Sequence, residues 1–486
     1  MFLAGDDAYK IKRAVRFPYM DFSTLERRRV VIEREFEINR RNAPEIYVRV
    51  VPITRDQNAA LHIGGTGTVV EWALQMRRFE QSALMSSLAD RGGLTREICQ
   101  SLTSVVFESH QAAPQVTMVE GRSRMNHILE EVSDALTTSQ ALLKPLNAAA
   151  FGELARAALS RAGACLDRRA QAGHVRRCHG DLHLNNIVLW NGKPTLFDAI
   201  EFDEKIATVD TLYDLAFLLM DLDRHGLRPE ANIVFNRYLW RSETMLDLEG
   251  LVALPLFMGL RSGIRTMVGA QQVALDSDEA SETTGASARA YLAHALRYLQ
   301  PPPAQLIAIG GFSGTGKSTL AAALAPQVDP APGALHIRSD IERKVMLGTA
   351  ETTRLTADSY SRDVSTKVYG RVLEKTRLAL AAGHSVVVDA VFASSTMQST
   401  VERIAADLGK SFTGLWLTAP RQTLLDRVAA RTGDASDATP AVVERQLAQG
   451  PGAINWIAID AGGSREDTER LARAILASRG REPATP

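Results

Sequence analysis

The stretch "LIAIGGFSGTGKSTLAAALA", residues 306–325, constrains the fold more than any other part of the chain. A short apolar run enters a glycine-rich turn and leaves through an Ala/Leu-rich segment, which reads as strand, loop and helix. Gly311, Gly316, Lys317 and Ser318 fit the spacing G-x-x-x-x-G-K-[ST], with Gly314 and Thr319 completing the loop. Glycines let backbone N–H groups wrap a chain of phosphates, and the helix N-terminus adds a favourable dipole. Lys317 is expected to reach the β- and γ-phosphates and Ser318 to bind magnesium. The cofactors implied are ATP and Mg2+.

The surrounding rhythm agrees. "LIAIGG", "LHIR", "SVVVDA", "FTGLWL" and "NWIAID" are short apolar runs separated by helical segments. Five such strands predict a parallel sheet covered on both faces, an α/β domain over residues 305–478. Before it, "ALDSDEASETTGAS" and "QPPPAQ" mark a link with a connecting helix, residues 274–304, and residues 479–486 read as a frayed tail. Residues 81–273 are helical in period. Residues 1–80 read as a β-rich lobe holding one helix, "STLERRRVVIEREFEINRRN", for which Ser23 is the expected N-cap. "GGTG", residues 64–67, lies between two strands with no helix after it, so a hairpin is expected there.

A second phosphate-handling pattern lies in the helical region. "HGDLHLNNIVLWNGKPTLFD", residues 179–198, sets Asp181 five positions before Asn186 and places Asp198 after a hairpin. Phosphoryl transfer to an alcohol needs a carboxylate for the hydroxyl proton and oxygen ligands for magnesium, and this stretch supplies both. His179 and His183 are four apart, so zinc on a helix face is the competing chemistry; the loop-like spacing weighs against it.

The loop resembles that of the aminoglycoside phosphotransferase-like branch of the protein-kinase-like enzymes. The resemblance implies an α+β kinase-like fold with Asp181 as catalytic base and Asn186 and Asp198 as magnesium ligands. It also implies His179 as a brace of the loop and Asp214 as its support from below. A lysine on a lobe strand should hold the nucleotide phosphates: Lys10, with Lys12 as competitor. Its helix partner should be Glu35, with Glu33 and Glu37 as alternatives. Only nine residues precede Lys10, so the lobe is expected to lack its first strand and phosphate-covering loop.

The segment "RSDIERKVMLG", residues 338–348, resembles the substrate segment of small-molecule P-loop kinases, the group of gluconate kinase, chloramphenicol phosphotransferase and the zeta toxins. The resemblance implies Asp340 as base or hydroxyl-orienting residue, with Arg343 and Lys344 near phosphate or substrate. Asp389 ends "SVVVD" in a metal-contacting position. "DRVAARTGDASDAT" resembles a lid whose Arg427 and Arg431, four apart on one helix face, would stabilise charge on the transferring phosphoryl group. As a whole the chain resembles bacterial fusions of the two kinds of domain.

Composition limits the partners. The 486 residues carry 56 basic and 56 acidic side chains, so no nucleic-acid or anionic-membrane partner is expected. Cys99, Cys165 and Cys178 lack paired spacing and suit a reducing compartment, and no stretch reads as a membrane span, so a cytoplasmic location is expected. The expected activity is ATP-dependent phosphorylation of small-molecule hydroxyl groups at two sites. The alternatives are one working P-loop kinase with a nucleotide-sensing first domain, or a toxin-like nucleotide-sugar kinase. Arg261 and Arg265, four apart, favour a phosphorylated or carboxylated acceptor if their helix lines the first cleft, and form a surface stripe otherwise. Oligomeric state is not legible.

Overall fold

Five strands of the first lobe build an antiparallel sheet whose buried positions lie on its central strands. The strands are β1 (Phe2–Ala4), β2 (Asp7–Lys10), β3 (Tyr47–Arg55), β4 (Leu61–Ile63) and β5 (Thr68–Arg77), in spatial order β1-β2-β5-β3-β4. Helix α1 (Leu25–Asn42) crosses this sheet, and Ile32, Ile46, Tyr47, Leu74 and Met76 form the core beneath it. The "GGTG" stretch lies in the loop between β4 and β5. Thr24, rather than Ser23, caps α1 by accepting the Arg27 N–H, while Ser23, one residue earlier, donates its hydroxyl to Asp21. A first strand does precede the lysine strand, contrary to expectation. Its hairpin closes through Gly5 and Asp6 alone, with Gly5 at φ 58°. That turn is too short to fold over a phosphate chain.

This computed structural model describes residues 1–17, 20–116, 120–242, 244–274, 279–431 and 433–479. The helical lobe follows the sheet with α2 (Met85–Asp90), α3 (Arg96–Ala112), α4 (Gly121–Thr138) and α5 (Ala148–Gln171). Met125, Leu129, Val132 and Leu136 recur at helical spacing on α4 and are buried, as are Phe151, Ala155, Ala158 and Ala162 on α5. The hairpin β6 (Ile187–Trp190) and β7 (Lys193–Leu196) then precedes α6 (Thr211–Arg224), α7 (Arg228–Ser242), α8 (Leu254–Val273) and α9 (Glu279–Leu299). The expected link from 274 is thus largely helix: residues 279–287 belong to α9, and 275–278 lie outside the described residues. Most of the expected tail, residues 480–486, lies outside them too. By length and composition Met245–Val273 could cross a membrane, contrary to expectation, but 67% of its most apolar window is buried. Leu256, Phe257, Met258 and Leu260 there are core residues.

The second sheet comprises β8 (Gln305–Gly311), β9 (Leu335–Arg338), β10 (Val386–Asp389), β11 (Ser411–Thr418) and β12 (Ile457–Asp460). All neighbours are parallel, in the order β9-β10-β8-β11-β12. Helices α10 (Lys317–Leu324), α11 (Ser339–Met346), α12 (Arg362–Ala381), α13 (Arg421–Ala429), α14 (Pro440–Gln449) and α15 (Arg465–Arg479) surround it. Ile307, Ile309, Val387, Leu415 and Leu417 are 0–1% exposed, as continuous apolar strands of a doubly covered sheet must be. Gly414 on β11 has no room for a side chain: an added Cβ would lie 2.4–2.6 Å from the Trp456 ring. Gly414→Ala is therefore expected to destabilise this sheet by about 1–3 kcal/mol, and Trp456→Leu in the same chain to recover part of the loss in a denaturant titration.

The chain divides into two compact units, Met1–Val234 with Leu256–Leu296, and Phe235–Pro255 with the chain from Arg297 onward. The second unit is larger than the expected domain at 305–478, because it incorporates Phe235–Pro255. Asn236 explains why. Its amide donates to Ala334 O at 3.3 Å and accepts the His336 N–H at 2.6 Å, completing the open edge of β9 as a further strand would. Trp240 Nε1 donates to His336 O at 3.2 Å.

Candidate active sites

In the first unit, Lys10 at the end of β2 has its Nζ 2.6 Å from Glu35 Oε1 and 2.6 Å from Asp198 Oδ1. Burial works against that charge, but Glu35 and Asp198 hold the lysine pKa above its ordinary value. Lys12 lies 2.7 Å from the other Glu35 oxygen and 2.5 Å from Glu201, so the two lysines share one buried carboxylate. Lys10 alone of the two also meets Asp198. Glu33 and Glu37 pair locally on α1 with Arg29 and Arg34.

Asp198 adopts φ 60°, its N–H bonded to Tyr47 Oη at 3.0 Å, while Asn39 of α1 binds both polar atoms of the Ala199 backbone. Helix α1 thus anchors both Glu35 and the loop that presents Asp198. Asp181 accepts from Asn186 Nδ2 at 2.9 Å and lies 3.2 Å from His183 Nε2. Burial opposes its ionisation, yet the His183 bond and the nearby His179 and Arg261 hold its pKa down at about 2. A base ionised at every working pH results.

The loop rests on Asp214. Its carboxylate accepts the His179 N–H at 3.2 Å and the Gly180 N–H at 2.9 Å. It also meets His110 Nε2 at 3.1 Å and Arg261 Nη2 at 3.4 Å. Arg261 donates in addition to Gly180 O at 2.8 Å and Tyr213 O at 3.2 Å. Arg261 is neither acceptor-facing nor part of a surface stripe, the two readings its spacing allows: it is a buried brace, stacked on Tyr213 at 3.9 Å. His179 bonds Phe197 O at 2.9 Å and His183 meets Asp181, and among the described residues the two histidines belong to no cluster of three metal-ligand side chains. His110, Cys178 and Asp214 do come within 4.8 Å of one another, but the Asp214 oxygens are already engaged.

In the second unit the loop conformation explains its glycines. Gly311 and Gly314 have φ 141° and 88°, and an added Cβ would press to 2.7 Å on Leu417 O and Leu424 O respectively. Lys317 Nζ donates to Phe312 O at 2.9 Å, and burial pushes its pKa down to about 8 against the pull of Asp389 and Asp340. Ser318 Oγ donates to Asp389 Oδ1 at 2.9 Å, and His336 Nε2 sits 2.6 Å from Asp389 Oδ2. His336 was not foreseen; its signal was the alternate position in "LHIR", facing the neighbouring strand end.

A cavity of about 590 Å³ brings Lys317, Ser318, Asp340, Asp389, Arg343 and Arg431 together. Burial and then Asp389 raise the Asp340 pKa above the ordinary aspartate value. Asp340 follows β9 and lies in the first turn of α11. A second cavity of about 510 Å³ is lined by Gly316, Thr319, Arg427 and Arg431. The lid arginines do not share a helix face, because α13 ends at Ala429 and Arg431 lies beyond it. Arg427 donates to Ala461 O and Gly463 O at 2.7 and 3.0 Å and lines only the second cavity, away from Asp340. Arg431 lines both. Lys344 is tied to Asp437 at 2.8 Å and to the Thr353 carbonyl, so it fastens the lid instead of facing the cavity.

The oxygen donors Asp198 and Asn186 in one unit, and Ser318 with Asp389 in the other, suit a hard cation such as magnesium.

The phosphotransferase enzyme family model matches residues 26–249, and the AAA domain model matches residues 306–450. An uncharacterized protein of Mycobacterium tuberculosis is 28% identical over 96% of this chain and 91% of its own length. Among solved structures, a gluconokinase of Sinorhizobium meliloti is 22% identical over 36% of this chain and 93% of its own, with a TM-score of 0.27. An ethanolamine kinase of Plasmodium vivax is 12% identical over 55% of this chain and 71% of its own, with a TM-score of 0.34. The chain thus matches the phosphotransferase enzyme family over residues 26–249 and the AAA domain over residues 306–450, two kinase-type domains in one chain.

Proposed function

We propose that the chain is a bifunctional ATP-dependent phosphotransferase acting on hydroxyl groups of small molecules, one acceptor at each site. The observation that supports this reading is that each unit brings together, from distant parts of the chain, side chains of the types that phosphoryl transfer uses. In the first, Lys10 and Asp198 are 188 positions apart and 2.6 Å from contact atom to contact atom. In the second, Ser318 and Asp389 meet at 2.9 Å across 71 positions.

In the first site Asp181 accepts the acceptor's hydroxyl proton, Lys10 holds the nucleotide phosphates, and Glu35 fixes that lysine. Asn186 and Asp198 would hold magnesium, which when bound neutralises phosphate charge. In the second site Lys317 and the loop N–H groups hold the phosphates, and Ser318 with Asp389 would hold the metal. Asp340 orients the hydroxyl, and Arg431 faces the charge that develops on the transferring group. Arg427 instead positions the 461–463 loop. ATP as the donor places both reactions in the cytoplasm.

The experiment compares Asp181→Asn and Lys317→Ala in the full chain, following labelled phosphate from ATP into a panel of hydroxyl metabolites. Each substitution is expected to abolish a different product. If Asp181→Asn leaves every product intact, the two-site reading fails. The short β1–β2 turn favours a second reading, in which only the P-loop site turns over and the first unit senses nucleotide; that same outcome would select it.

A further inference from the structure

Beside the Asp181 loop lies a cavity of about 480 Å³ whose wall includes His183, Asn185, Asp221, Arg224, Arg265 and Tyr291. It adjoins the proposed base, since His183 contacts Asp181 at 3.2 Å. Two guanidinium groups flank the Tyr291 ring, Arg224 at 4.1 Å and Arg265 at 5.6 Å from its centre. Among the described residues neither arginine forms an ion pair. Arg224 donates to Ser287 Oγ at 3.1 Å, and its buried Nε has no hydrogen-bond partner. His183 is 8% exposed, and its Nδ1 is likewise without a partner.

Two carboxylates share the wall, and while burial opposes the Arg265 charge, Tyr291, Asp221 and the adjoining Asp181 hold its pKa above the ordinary value. Asp221 is buried and accepts the Leu184 N–H at 2.9 Å, holding the loop that carries Asp181 and Asn186. Asp90 sits 3.3 Å from His225 with its side chain 71% exposed. Two guanidinium groups with no direct carboxylate contact, in a partly desolvated cavity, favour planar or tetrahedral oxyanions, which their donor forks match. A polyammonium sugar would meet two guanidinium charges among the acids of this wall. Gln81, Ser86 and Ser87, also in the wall, offer neutral hydrogen-bonding groups suited to a polyol.

We infer that this cavity is the acceptor site of the first unit and that it selects a hydroxyl compound bearing a compact oxyanion, phosphate or carboxylate, held by Arg224 and Arg265. The inference rests on the reading of Asp181 as the base of a phosphotransferase. It replaces the expectation that Arg261 and Arg265 act together: of that pair only Arg265 reaches the cavity, and Arg224 joins it from the end of α6.

The test uses the full chain carrying Lys317→Ala, so that the P-loop site is silent. Equilibrium dialysis with labelled inorganic phosphate is expected to show saturable binding, weakened roughly 10- to 100-fold by Arg265→Ala or Arg224→Ala, the worth of one charge-assisted contact. Arg265→Lys and Arg224→Lys should restore part of it, which separates lost charge from lost packing. No saturable binding, or binding indifferent to both alanine variants, overturns the inference. Turnover is then compared for ribose 5-phosphate against ribose, gluconate against glucose, and kanamycin as the polyammonium probe. The anionic member of a pair is expected to be favoured, with KM rather than kcat rising in the arginine variants, and the favoured pair tells phosphate from carboxylate. Asp181-dependent turnover that favours a neutral sugar or kanamycin overturns the inference and leaves the kinase reading standing. Phosphate binding as expected with no product sensitive to Asp181→Asn upholds the anion site and removes the kinase reading.

Discussion

Lys317→Ala is expected to cut the P-loop-dependent product by about 10²- to 10³-fold in kcat/KM, the usual cost of removing one charged group that faces a transferring phosphoryl oxygen. Its amine is crowded by protein, and in the absence of nucleotide it is satisfied by a single carbonyl, Phe312 O. Burial pushes its pKa to about 8, below the ordinary 10.5. The unfolded chain therefore binds more protons than the folded one between those values, so this residue's burial cost falls as pH rises through that window. Nucleotide phosphates would reverse the balance, because an adjacent anion favours the charged amine. ATP binding above about pH 8 should accordingly take up a proton, readable by calorimetry in buffers of different ionisation enthalpy. Lys317→Ala should bind ATP with no such uptake while melting no lower than the parent chain. Proton uptake that persists in the variant would remove Lys317 from the phosphate site.

The P-loop unit was the more legible half because local sequence sets its local geometry. Each of its five strands is a short apolar run, and the loop's own Gly311, Gly314 and Gly316 all take the positive φ that glycine allows. The kinase-like loop was legible in the same way, since Asp181 and Asn186 bond across five residues. What sequence could not reveal were pairings made by the fold. The choice between Lys10 and Lys12 depends on Asp198, which lies nearly 190 residues away. Arg261 and Arg265 look alike at four-residue spacing, yet one turn of helix separates a buried brace from a cavity wall. Asn236 carries no motif at all. Its value lies in an amide that matches the free edge of β9, and only the assembled sheet creates that edge. The lid arginines illustrate the converse, because a helix that ends at Ala429 undoes a spacing argument that assumed it continued to Arg431.

Asp214→Ala is expected to remove the first site's product entirely while leaving the P-loop product at its parental kcat/KM. It should also lower the stability of the first unit by about 3–5 kcal/mol, the scale for stripping one partner from a buried charged network. The reason is the set of groups it leaves behind. Arg261 is 3% exposed and would keep its charge with only the carbonyls of Tyr213 and Gly180 to face. The N–H groups of His179 and Gly180 would lose the acceptors that set the backbone just before Asp181. The double variant Asp214→Ala/Arg261→Met separates the two effects. Removing both charges should recover much of the stability, since an apolar side chain of similar volume replaces the stranded guanidinium. Turnover should not return, because the two N–H groups remain unmet and the base remains unplaced. A denaturant titration of each variant reads the first quantity, and labelled-product formation reads the second. Turnover that recovered along with stability would make Asp214 a partner for Arg261 alone, and the placement of Asp181 would then rest on Asn186 and His183.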